Sequence, residues 1–335
     1  MLGCGGGSEA AESPTTTATR PTHPEVVYEG VPFREIEPEA TIALGAPEVG
    51  SLVATVRFLW AMSSKGLHRI DPEAGKATLV SERSSPGFVL ATDGASIWIA
   101  SFDENVVRRI DPTNGKVIAT IEVGTNPDGV AVEADAVWVS NHRGGDVSRV
   151  DPATNREVAR VKVGPEGSSG PQSIKAGAGS IWVGVPNTSA VVRIDPSTNK
   201  VVKTIDVDIP GVIPCGDFAI NESDVWLTNC AGVSVLRIDA RASEPVALLS
   251  VGARAAGSPV WVGDKLWLSV EPREGLPGGD APGGLVQIDR ENKMVDAVTL
   301  GEDFAGGPTV VAFGSLWIAD VEHGSVVRIP LTALD

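Results

Sequence analysis

The stretch IEVGTNPDGVAVEADAVWVSNHRGGDVSRVDP, residues 121–152, decides the fold. It holds a short apolar run, a turn, a Trp-centred run, a polar loop and a run ending in Arg-Val-Asp-Pro. The same order recurs on both sides of it. Trp60, Trp98, Trp138, Trp182, Trp226, Trp267 and Trp317 are spaced 38, 40, 44, 44, 41 and 50 residues apart. After each Trp comes a second marker: Arg69-Ile70-Asp71-Pro72, Arg109-Ile110-Asp111-Pro112, Arg149-Val150-Asp151-Pro152, Arg193-Ile194-Asp195-Pro196, Arg237-Ile238-Asp239, Gln287-Ile288-Asp289 and Arg328-Ile329-Pro330. A period of this length matches one four-stranded propeller blade. Helical repeats of similar length are excluded, because Gly, Pro, Asn or Asp interrupts each unit at short intervals and Val and Ile crowd between the breaks.

In the third unit the pattern predicts strands over 130–133, 136–141, 146–151 and 157–163. Residues on both sides of each Trp are apolar, as with Val137 and Val139 or Ile181 and Val183. A strand apolar on both faces is buried on both, so the Trp residues are read as core. The Asp-Pro-x-Thr-Asn-Lys runs, such as 195–200, are read as hairpin turns that need no function: Asp bonds the turn backbone, Pro presets φ, and Asn or Gly tolerates positive φ. The last unit stops at Arg328-Ile329-Pro330 without a fourth strand. Its missing piece stands at the other end of the chain as Thr41-Ile42-Ala43-Leu44-Gly45. The expected architecture is therefore all-β: a seven-bladed β-propeller over residues 25–335, closed by an N-terminal strand in the last blade. Such a closure removes an exposed sheet edge.

The net charge of −16 argues against nucleic acid and anionic membrane surfaces as partners. There is no apolar run of about 18 residues that would form a transmembrane helix. Residues 1–24 carry no apolar periodicity, and 9–24 are rich in Thr, Pro and Ala, the composition of a tether. Met1-Leu2-Gly3-Cys4 resembles the end of a bacterial lipoprotein signal, in which the Cys becomes lipid-modified. On that reading Cys4 is the lipidation site, the charged and apolar parts of the signal lie upstream of Met1, and the protein is a cell-envelope lipoprotein outside the cytoplasm. The alternative is a plain disordered N-terminus.

Cys215 and Cys230 flank a hairpin whose turn is Asn221-Glu222-Ser223-Asp224. With Glu222 and Ser223 central, the two cysteines lie opposite each other and form a disulfide if no bulge shifts the register; two buried free thiols are the alternative. A disulfide fits an extracytoplasmic compartment.

Loops between the second and third strands gather on one face with the interblade loops, the usual place for a site on a rigid scaffold. They carry Asp103, Asn141, His142, Asn187, Asn229, Glu271, Asp320, Glu322 and His323, which are the candidate binding residues. Blade 6 brings the long insertion 271–280 there, including Glu274. Several carboxylates against the scattered Lys65, Arg143 and Arg273 favour a cationic or hydroxyl-rich ligand, or a hard cation such as Mg²⁺ or Ca²⁺. His142 and His323 sit nearly opposite in the ring, so a shared transition-metal site is not expected. No other cofactor is implied.

Trp138-Val139-Ser140-Asn141 and Trp226-Leu227-Thr228-Asn229 resemble the Tyr-Val-Thr-Asn signature of the YVTN-type (YncE-like) propellers, with Trp in place of Tyr. The Arg-Ile-Asp-Pro and Ile-x-Val-Gly runs extend the likeness over residues 41–335. That resemblance implies an extracytoplasmic propeller, here a monomer, binding a small molecule or an envelope protein. The chain is also similar to the streptogramin (virginiamycin B) lyase propellers, which imply a Mg²⁺-assisted lyase or hydrolase with His and Glu on the loop face. Leu316-Trp317-Ile318-Ala319-Asp320 matches their repeat. The other blades place Ser63, Ser101, Asn141, Val185, Asn229 and Val270 at the acidic position, and no second His of that family has a counterpart.

Overall fold

The computed structural model describes residues 25–26, 31–82, 89–167, 170–230, 232, 234–251, 254–255, 257–272, 282–301 and 303–334. Cys4 with the 1–24 tether, Arg273, Glu274 and Glu302 lie outside the described residues.

Seven small sheets follow one another around a ring, as expected for a seven-bladed propeller. The third blade is typical, with strands Pro127–Glu133, Ala136–Asn141, Asp146–Asp151 and Arg156–Lys162 from the channel outward. Its first strand starts earlier than the pattern indicates, because an irregular step between Pro127 and Val130 precedes regular pairing. The last blade consists of Gly306–Ala312, Ser315–Asp320 and Ser325–Pro330, and its outer strand is the N-terminal Ala40–Ala43. That strand pairs antiparallel, from Ala40 opposite Arg328 to Ala43 opposite Ser325. Ile42 and Leu44 are buried in the cluster at the seam of blades 7 and 1. The closure inferred from the missing strand is thus present.

The segment before it does more than connect. Glu25–Val26 lies parallel on the outer strand of blade 5, with Glu25 opposite Leu248. Arg34–Glu35 lies parallel on the outer strand of blade 6, with Arg34 opposite Val298. Arg34 donates from Nε and Nη2 to the Asp296 carboxylate, at 3.1 and 2.7 Å, and this partner raises the guanidinium pKa. Val31 and Phe33 pack on the blade 5–6 core. The N-terminal segment therefore runs along the outside of blades 5, 6 and 7 in turn.

Each seam between blades has one apolar cluster and one Trp. Trp138 packs with Ile174, Ile181 and Val183 of the next blade. Trp182 packs with Phe218, Val225 and Leu227, and the pattern continues to Trp317, which meets Leu52, Leu59 and Ala61 of blade 1. All seven repeat Trp side chains are at most 1% exposed.

The Arg of the repeated Arg-Ile-Asp-Pro marker has a structural cause too. In five blades its guanidinium stacks on the Trp of its own blade, 5.2 Å from the ring centre for Arg109 on Trp98 and 5.3 Å for Arg193 on Trp182. It then reaches across the seam. Arg193 Nη1 donates to Ala240 O at 2.9 Å and Ser243 Oγ at 3.0 Å; Arg149 Nη1 donates to Asn199 Oδ1 at 2.9 Å; Arg237 Nη1 donates to Asn292 Oδ1 at 2.7 Å. The acceptors Asn199, Ser243 and Asn292 occupy the positive-φ position of the next blade's outer turn. The preceding Asp closes that turn by accepting backbone N–H groups, as Asp239 does from Arg241 and Ala242 at 2.8 and 2.7 Å. Hydroxyl hydrogen bonds from Thr113, Thr154 and Ser197, with backbone N–H groups of the turn, hold the carboxyls of Asp111, Asp151 and Asp195 below the ordinary range, and backbone N–H groups do the same for Asp71. Blade 6 has Gln287 in place of the Arg, and blade 7 directs Arg328 to Ser315 and Glu39 instead.

Candidate functional site

The second-to-third strand loops and the interblade segments share a face, as the sequence implies. In blade 3 the backbone N–H of His142 donates to Asn126 O at 2.8 Å and that of Gly144 to Thr125 O at 3.2 Å, across the two kinds of loop.

The expected binding residues do not play one role. Asn141 and Asn229 are buried and engaged inside their blades. Asn141 Nδ2 donates to Asp146 Oδ1 at 2.7 Å and Ser148 Oγ at 2.8 Å. Asn229 Nδ2 donates to Gly211 O at 2.6 Å and Ser234 Oγ at 3.1 Å, while its Oδ1 accepts from Ile213 N–H at 2.9 Å. The Asn of the repeat thus braces the loop that follows it. The Gly ending the Ile-x-Val-Gly run leaves room for that amide: a Cβ on Gly124 would come within 2.3 Å of Asn141 Nδ2.

Asp103, Asn187 and Glu322 are exposed. Asp320 is buried and accepts from the exposed His323, whose Nδ1 lies 3.0 Å from Oδ2. That hydrogen bond, with the Asp320 charge and lesser contributions from Asp303 and Glu322, raises the imidazole pKa. His68 of blade 1 is buried with Nε2 2.8 Å from Ser63 Oγ, and burial lowers its pKa. Among the described residues, no group of three or more His, Cys, Asp or Glu side chains lies together in an arrangement able to hold a metal ion.

The central channel holds a cavity of about 820 Å³, lined by the first strand of every blade. Glu271 borders it. His142 lies beside Asp128, which lines it; the His142 ring also stands 6.0 Å from Phe102. Among the described residues, the other charged groups in its wall come from first strands and the segments leading into them. They are Asp128 on blade 3, Lys175 on blade 4 and Asp217 on blade 5.

Burial raises the Asp128 carboxyl above the ordinary range, partly offset by the nearby His142 imidazole and a hydrogen bond from Gln172. Lys175 is paired in register with Trp182. The corresponding partners of the other Trp residues are Val53, Ala91, Ala131, Ala219, Val260 and Val310. One ammonium group thus stands in a ring otherwise made of Ala and Val, with Nζ 3.7 Å from Asp217 Oδ1. Asp217 is itself held: its N–H donates to Thr228 Oγ1 at 2.9 Å and its Oδ1 accepts from Phe218 N–H at 2.7 Å. The Cys215–Cys230 disulfide, with Cα atoms 5.7 Å apart, ties together the two segments that carry Asp217 and Thr228. The blade 5 hairpin has the register the sequence implies, Phe218 opposite Leu227 and Ile220 opposite Val225.

Reading the loops missed these channel groups. The signal was available in the first strands: aligned on the Trp pairing, they show Lys175 as the one charged residue in its column.

The chain matches no family model and no curated protein sequence. Solved structures do resemble it. A streptogramin B lyase structure aligns over 86% of this chain and 95% of that one, with a TM-score of 0.69 and 14% identity. Virginiamycin B lyase from Staphylococcus aureus covers 86% and 97%, with a TM-score of 0.67 and 14% identity. A chain of a mitotic checkpoint complex covers 90% and 97%, with a TM-score of 0.69 and 11% identity. At such identities the likeness is one of fold, and the chain is an all-β seven-bladed propeller whose structural neighbours include the streptogramin B lyases.

Proposed function

We propose that this protein is a non-catalytic binding propeller of the bacterial cell envelope, attached by lipid at Cys4, that takes a small polar molecule into its central channel. The observation that carries this reading is Lys175, a charged side chain in a ring of Ala and Val on the channel wall. The other blades fill this position with Ala or Val, so packing does not call for a Lys ammonium, and the Lys175 side chain remains 46% exposed. The cavity volume falls within the few hundred to about 1,000 Å³ common for small-molecule sites. Glu271 lines the same site and His142 stands beside Asp128 in its wall, whereas Asp103, Asn187, Asp320, Glu322 and His323 are not among its lining residues. A lyase reading draws on fold likeness to the streptogramin B lyases, but no hard-cation donor set supports it among the described residues.

The test is retention from a small-molecule extract of bacterial envelopes, using the wild-type protein, Lys175→Met and Asp128→Asn, with bound compounds identified by mass spectrometry. A compound held by the wild type and lost from both variants supports channel binding. Equal retention by all three proteins refutes it. Lipid attachment is checked separately by intact mass of the membrane-extracted protein.

A further inference from the structure

We propose that the channel ligand is a short peptide with free termini and an apolar side chain; this rests on the channel-binding reading above. Three consecutive blades supply opposite charges on one side of the channel: Asp128, Lys175 and Asp217. Lys175 is the one cation among the described lining residues, against the Asp128 and Asp217 carboxylates of the same wall. A purely anionic ligand therefore meets excess negative charge. A purely cationic one leaves the ammonium of Lys175 facing it, a repulsion that a neighbouring carboxylate only partly relieves.

A zwitterion satisfies both signs. Its carboxylate accepts from Lys175, and its ammonium donates to Asp217 or Asp128. At 3.7 Å, the Lys175–Asp217 pair is longer than a direct hydrogen bond, so Nζ retains donors for a ligand oxygen.

The next surface along this wall is apolar. Ala219 of blade 5 stands two residues after Asp217, and Trp261 of blade 6 packs on the same blade 5–6 core while bordering the channel. Trp261 is the one Trp outside the repeat: it pairs with Leu266, whereas the repeat Trp of blade 6 is Trp267. An indole bordering a polar channel suits an apolar or aromatic ligand side chain. A single amino acid leaves much of about 820 Å³ empty, which favours a di- or tripeptide.

Isothermal titration with leucyl-phenylalanine, its C-terminal amide, its N-acetyl derivative and a pool of other apolar dipeptides tests the assignment. Binding of the free peptide or the pool, with a loss of about tenfold or more on blocking either terminus, supports it. In Lys175→Met the difference between peptide and amide should disappear, and in Asp217→Asn or Asp128→Asn the difference between peptide and acetyl derivative should shrink. Asp239→Asn, on the far side of the blade, should bind as the wild type does. Blocked forms that bind as tightly as the free peptide overturn the zwitterion while leaving channel binding in place, provided Lys175→Met still weakens them. No binding by any probe overturns the peptide assignment, and binding indifferent to all three channel substitutions overturns both readings.

Discussion

Replacing Arg193 by Ala removes one complete link between blades 4 and 5. The side chain makes two hydrogen bonds across the seam, to Ala240 O and Ser243 Oγ at 2.9 and 3.0 Å, and one within its blade, to Ser180 Oγ at 2.8 Å. It also stacks on Trp182 at 5.3 Å. A charge-assisted hydrogen bond to a neutral group contributes about 1.5 kcal/mol or more where it is sheltered, and the stacking about 0.5–1 kcal/mol. The cross-seam bonds share one Nη1 and are not additive, so the expected loss is about 2–4 kcal/mol. Arg328 provides an internal comparison. It stacks on Trp317 at 5.4 Å and bonds Ser315 within its blade, but it spends its remaining reach on Glu39, with a cleft of about 320 Å³ between it and Asp71 and Pro72 of blade 1. Arg328→Ala should therefore cost less than Arg193→Ala. Urea unfolding followed by circular dichroism measures both, with slopes compared to verify a common transition. Equal losses, or a loss below about 0.5 kcal/mol for Arg193→Ala, would refute the cross-seam link as the reason for the repeated Arg.

Removing residues 1–46 should lower the melting temperature sharply, whereas removing 1–24 should leave it nearly unchanged; equal effects would contradict closure by Ala40–Ala43. Peptide mapping without reductant should recover Cys215 joined to Cys230, and two freely alkylated thiols in protein from an oxidising compartment would argue against the bridge. Asp128→Asn should stabilise the unliganded protein at neutral pH. A carboxyl raised by burial disfavours the folded state once pH exceeds its unfolded value of about 3.9, and the penalty is complete above the folded value. The gain should fade as pH falls through that window, and thermal melts showing no gain at pH 7 would contradict the buried charge.

The Trp marker recurs because every seam needs the same knob, and the Arg-Ile-Asp marker because five of the seven seams carry the same link, so the blade count and the N-terminal closure were legible in the sequence. The two-residue parallel strands were not. Glu25–Val26 and Arg34–Glu35 are too short to show a period, and their partners lie more than 200 residues away. The reach of Arg193 to the next blade was equally hidden, since a motif shows the donor and not an acceptor one repeat further on. At the site, exposure misled. Polar residues after the Trp strand read as ligands, yet Asn141 and Asn229 are loop braces, and only the pairing register brings Lys175 into its ring of Ala and Val.

The segment along blades 5, 6 and 7 sets an order of events at the ribosome. Its residues are synthesised first, but the strands they pair with come last: Ala40 waits for Arg328. Blades 1 to 4 have all their strands in sequence and assemble as they emerge. The last sheet is complete only when the C-terminal strand leaves the exit tunnel, and that long-range pairing is the slow kind. Until then the young chain carries an unpaired Ala40–Ala43 strand beside a last blade with an open outer edge. A chain truncated before residue 325 can never seat Ala40–Ala43, which gives quality control a simple mark of an unfinished molecule.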